Sequence, residues 1–72
     1  MKNGSIIREA RKAAGLSQSE LAGHLEIPIR TLQQWEQGRR NLPDYVLKLI
    51  LFKLEADGLA EGFLKGLNKE QE

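Results

Sequence analysis

Apolar residues along the chain recur at intervals of three and four, and no strand-like alternation persists beyond five residues, so every segment outside the turns is predicted to be helical. A first helix runs from about Ser5 to Ala14, with Ile6, Ile7, Ala10, Ala13 and Ala14 on its apolar side and Gly15 supplying a left-handed stop. Ser17-Gln18-Ser19-Glu20 has the spacing of a capping box, just before the apolar Leu21, Ala22 and Leu25 of a second helix. About three residues further on, Pro28 pre-sets φ for a third helix, which continues through Leu32 and Trp35 until Gly38 ends it. A fourth helix starts near Pro43 and stops at Asp57-Gly58, after about Ala56. A weaker fifth carries Leu59, Phe63, Leu64 and Leu67, and residues 69–72 form a frayed tail. The fold class is all-α, with a single domain over 1–72: a core over 5–56, then helix five and the tail over 57–72.

With 72 residues there is surface enough for one hydrophobic core and no second. The absence of cysteine excludes disulfides and thiolate zinc sites, and one histidine makes no imidazole cluster, so no metal and no cofactor is implied. The apolar run from Tyr45 to Leu54 is broken by Lys48 and Lys53 and falls short of the roughly 20 residues that span a bilayer. Arg8, Glu9, Arg11 and Lys12 arrive where a secretory segment would be apolar, so the expected location is cytoplasmic. No Ser/His/Asp or Cys/His arrangement exists, and an enzyme is not expected. Charge is uneven: residues 1–42 hold seven Lys/Arg against four Asp/Glu, residues 43–72 four against six, so the first part is the one suited to a polyanion.

The third helix divides most sharply. At about 100° per residue, Pro28, Thr31, Leu32 and Trp35 share one arc, which is read as core. Arg30, Gln33, Gln34 and Gln37 share the opposite arc, with Ile29 on its flank. An amide pairs bidentately with adenine and a guanidinium with guanine, so these side chain types are those that read base edges. No carboxylate interrupts that arc. Glu36 falls beside Leu32, where a partly shielded carboxylate wants a cation.

From Arg11 to Ile50 the chain resembles the helix-turn-helix domain of the phage-repressor Cro/cI (XRE) family, above all in GLSQSELA, in the short turn and in RTLQQWEQGRR. The resemblance implies a five-helix, lambda-repressor-like domain whose helices two and three form the helix-turn-helix, with helix three in the DNA major groove. It places Ile29, Arg30, Gln33 and Gln34 at base-reading positions, Ile29 being suited to a thymine methyl. Ser17, Gln18, Gln37, Arg39 and Arg40 become the expected phosphate contacts, Gln18 at a helix N-terminus that attracts anions. Arg11 and Glu36 match a structural ion pair between helices one and three.

Two departures stand out. Glu26 replaces the usual turn glycine at a position expected to need φ > 0, and Pro28 replaces the usual Ser/Thr cap. His24 is expected to be lone and exposed. The function implied is sequence-specific binding of double-stranded DNA by a transcriptional regulator that acts as a repressor. The alternative is a protein-interaction module, such as a toxin-neutralising antitoxin or an adaptor with weak DNA affinity, using the acidic, Leu-rich residues 43–72 for its protein partner. Helix four is apolar nearly all round, so Phe52, Leu59, Phe63 and Leu67 are the candidate surface of a two-fold homodimer, formed in solution or on a pseudo-palindromic DNA site.

Overall fold

The four helices among the described residues all stop by the same device. The computed structural model describes residues 2–59, which form α1 (Asn3–Ala13), α2 (Gln18–Leu25), α3 (Ile29–Gln37) and α4 (Asp44–Ala56). Beyond each, one residue takes a left-handed conformation: Gly15 (φ 72°), Glu26 (φ 57°), Gly38 (φ 76°) and Gly58 (φ 73°). The following amide then bonds the carbonyl five residues back, Leu16 to Arg11, Ile27 to Ala22, Arg39 to Gln34 and Leu59 to Leu54, at 2.8–3.1 Å. This closes carbonyls that would otherwise be orphaned and turns the chain sharply. Glu26 alone lacks glycine's freedom there, as its position in the turn led us to expect.

The starts are more varied. In α2 the Ser17 hydroxyl accepts the Glu20 amide at 3.0 Å while the Glu20 carboxylate accepts the Ser17 amide at 2.9 Å, completing the capping box. The Ser17 amide, and after it the Ser17 hydroxyl, holds the Glu20 carboxyl below its ordinary value. Pro28 and Pro43 precede α3 and α4 in extended backbone with no side-chain cap. The first helix begins at Asn3, two residues before the expected Ser5. Its extension is held by a distant anchor: the Asn3 amide donates to the Leu42 carbonyl and to Asp44 Oδ1, both at 2.6 Å.

Among the described residues there are four helices; Phe63, Leu64 and Leu67 of the expected fifth lie outside them. The core is Ile7 and Ala10 from α1, Leu21 and Ala22 from α2, Leu32 from α3, Leu47, Ile50, Leu51 and Leu54 from α4, and Leu42 from the loop between. Helix α1 packs on α3 and α4, and α2 packs on α3. Two expectations are corrected here. Ala13 is exposed, since α1 turns Ile7 and Ala10 inward and leaves Ala13 on the rim. His24 is only part-exposed, because its Nε2 lies 2.6 Å from Asp57 Oδ2 and so joins the end of α2 to the end of α4.

The packing of α1 on α3 leaves no room at one point. A Cβ on Gly4 would overlap the carbonyl oxygen of Trp35 and lie 3.5 Å from the Glu36 Cα. Only glycine lets the start of α1 lie directly on the backbone of α3.

The turn between α2 and α3 yields a stability prediction. Replacing Glu26 by Gly relieves about 1–2 kcal/mol of left-handed strain, against about 0.5–1 kcal/mol of added unfolded-state entropy. Glu26→Gly should therefore melt a few degrees higher. A lower midpoint in a thermal melt would mean that the Glu26 side chain outweighs its own backbone strain.

Candidate nucleic-acid interface

Glu36, the only carboxylate on α3, is turned away from the polar arc and buried, its side chain 1% exposed. A carboxylate removed from water must be matched by donors or it destabilises the fold. Arg11 meets it as a fork, Nε to Oε2 at 2.9 Å and Nη2 to Oε1 at 3.0 Å. The same guanidinium sends Nη1 to the Leu16 carbonyl at 3.0 Å, tying down the α1–α2 turn. Arg8 approaches from one side, with Nε 3.6 Å from Oε1 and Nη2 donating to the Glu36 carbonyl at 3.2 Å. Gln18, from α2, donates its Nε2 to Oε1 at 3.3 Å. Three helices thus meet on one side chain.

Consequently the outer face of α3 carries no negative charge. Ile29 lies at its start, 41% exposed. Arg30 and Gln37 are exposed, while Gln33 and Gln34 are half-buried on the flanks of the arc. Gln33 donates to Gln18 Oε1 at 3.4 Å. Arg39 and Arg40 are exposed just past the Gly38 turn. Ser17 sits at the start of α2 with its hydroxyl on the Glu20 amide, and Gln18 stands beside it, half-buried. The structure therefore brings Gln18 and Gln33 together, and Arg11 and Glu36 together. No side-chain hydrogen bond among the described residues joins Arg30, Gln34, Gln37, Arg39 or Arg40 to that cluster.

Of the arc expected in the core, Trp35 packs against it but stays partly exposed, and Pro28, at the start of α3, is exposed. Its ring borders a hollow of about 170 Å³ with Leu25, Ile27, Val46, Leu49, Ile50 and Lys53. Sequence reasoning missed Arg8 and Gly4. Both were within reach, because Gly4, Arg8 and Arg11 recur at four and three and so share the face of α1 that lies on α3.

An all-α unit with two short helices at a three-residue turn, the second exposing a carboxylate-free polar face, is a helix-turn-helix. The helix-turn-helix family of the Cro/cI (XRE) type matches residues 7–51, more than half the chain, and the chain belongs to it. That membership makes it a DNA-binding transcriptional regulator. No curated protein and no solved structure matches it. Among the described residues no helix is long and apolar enough to cross a membrane.

The buried cluster can be tested without DNA. Arg11→Met or Glu36→Met alone should each cost on the order of 3 kcal/mol, since each leaves an unmatched charge, whereas the double variant should lose less than the two single losses together. Chemical denaturation of the four proteins measures this. Strict additivity would show that the two side chains contribute independently.

Proposed function

We propose that the protein is a sequence-specific repressor that lays α3 in the major groove of double-stranded DNA. The observation that carries this reading is the outer face of α3, which offers Ile29, Arg30, Gln33 and Gln34 while its one carboxylate is buried. Ile29 contacts a thymine methyl, and Arg30, Gln33 and Gln34 pair with base edges. Ser17, Gln18, Gln37, Arg39 and Arg40 meet the phosphates that border the groove. At the start of α2 the capping box satisfies the Ser17 and Glu20 amides. The Gln18 and Ser19 amides, in the first turn of α2, are of the kind that a helix N-terminus offers to a phosphate. Binding over a promoter excludes other proteins from it, which is how the domain represses.

The reading includes a two-fold dimer. Along α4, Tyr45 (69% exposed), Leu49 (64%) and Phe52 (62%) recur at four and three and form one uncovered apolar stripe. Phe52 belongs to the dimer surface expected from the sequence; Leu59 is partly buried against the core, and Phe63 and Leu67 lie outside the described residues. A dimer through this end places two copies of α3 about 34 Å apart, on half-sites one turn of DNA apart. The same stripe would serve a protein partner such as a toxin, and a monomer that captured such a partner but ignored DNA would favour that second reading.

Binding curves on a selected duplex and on a scrambled one test the readout. Arg30→Ala and Gln34→Ala should cost about 1–3 kcal/mol on the selected duplex and relax base preference. Arg39→Ala or Arg40→Ala should weaken both duplexes alike and lower the salt slope by about one. Equal losses on both duplexes for Arg30→Ala and Gln34→Ala would remove the base-reading assignment. Sedimentation tests assembly: two protomers per duplex are expected, and a monomer that also binds its best site one-to-one would eliminate the dimer.

A further inference from the structure

Asn3 is followed by Gly4, and it is the one asparagine of three with a glycine after it; Asn41 precedes Leu42 and Asn68 precedes Lys69. The backbone nitrogen that follows an asparagine can attack its side-chain carbonyl carbon, and a side chain on that next residue hinders the approach. Gly4 has none, and none can be put there, because a Cβ would overlap the carbonyl oxygen of Trp35. The packing of α1 on α3 therefore keeps this asparagine beside a glycine. The Gly4 amide is also among the first of its helix, which have no partner within it.

The reaction destroys the anchor of the same residue. Asn3 Nδ2 donates to the Leu42 carbonyl and to Asp44 Oδ1, both at 2.6 Å. In the first step the Gly4 nitrogen bonds to Asn3 Cγ, the Cγ–Nδ2 bond breaks, and Nδ2 leaves as ammonia with the proton that Gly4 gave up. Water then opens the cyclic imide. Its hydroxyl adds to Cγ, giving aspartate, or to the backbone carbonyl carbon of residue 3, giving isoaspartate, and its proton returns to the Gly4 nitrogen. Either way the donor is gone and a carboxylate has replaced it, beside two groups that only accept. We propose that Asn3-Gly4 is a deamidation site gated by its own anchor: it reacts when the first turn of α1 opens, and the product cannot close again on α4. Lys2, the N-cap residue, makes no side-chain cap bond, so the two bonds of Asn3 are what oppose that opening. Loss of ammonia makes the release one-way. Gly4 rests on the backbone of α3 at Trp35 and Glu36, so a freed α1 start also loosens the seat of α3. The inference stands whether or not α3 enters a DNA groove.

The full chain, incubated at mildly alkaline pH, is followed by intact mass and by peptide mapping that separates asparagine, aspartate and isoaspartate. Asn3 is expected to convert several-fold faster than Asn41 and Asn68. The same chain in denaturant gives the ungated rate at Asn3, which should exceed the folded one. Asp44→Ala removes one of the two bonds and should raise the folded rate about fivefold. Asn3→Asp stands in for the aspartate product. It should melt below the wild type, and Asp44→Asn added to it should restore part of the loss, because donor and acceptor then exchange places. An Asn3 that converts no faster than Asn41 and Asn68 would overturn the site. A folded rate equal to that in denaturant, or unchanged by Asp44→Ala, would overturn the gate. Asn3→Asp protein that melts with the wild type would overturn the release.

Discussion

The structure depends on a carboxylate that has been taken out of water. Glu36 must be matched where it lies, and what matches it comes from everywhere else: a guanidinium fork from α1, a second cation one turn earlier on the same helix, and an amide from α2. These groups converge only if α1, α2 and α3 hold one mutual arrangement. Hydrophobic contact among Ile7, Leu21 and Leu32 would tolerate a range of helix positions; directional bonds to one buried group tolerate far fewer. The close approach at Gly4 works with it, since the backbone of α1 can lie on Trp35 and Glu36 only in one place.

Burying Glu36 also shapes the surface. One side chain keeps negative charge off the outer face of α3 and, in the same position, secures that helix to the scaffold. The apolar surface is on another element: α4 turns Leu47, Ile50, Leu51 and Leu54 inward and leaves Tyr45, Leu49 and Phe52 exposed.

Much of this was legible in the sequence wherever the cause was local. The capping box at Ser17, the glycine stops at 15, 38 and 58 and the prolines before α3 and α4 act within a few residues, and the helices fall close to where those signals put them. The strained conformation of Glu26 was likewise readable from its place in the turn. Non-local causes were not. The early start of α1 depends on Leu42 and Asp44, some forty residues away, and the contact of His24 depends on Asp57 at the end of another helix. The wheel for α3 separated core from surface but could not show that Trp35 lies at an open edge, which depends on how α4 packs. For the candidate site, residue types and faces were readable, while the direction of the amides at 18 and 33 needed coordinates for three helices.

The two kinds of position on α3 differ in how freely they can vary over evolutionary time. Ile29, Arg30, Gln34 and Gln37 stand outside the core on a helix whose attachment is carried by Leu32, Trp35 and Glu36, so a descendant can exchange them without refolding. Gln33 is different, because its amide donates a hydrogen bond to Gln18 of α2, so a change there also affects that neighbour. Lineages derived from this scaffold should therefore diversify quickly at those four positions and slowly at the one bonded to its neighbour.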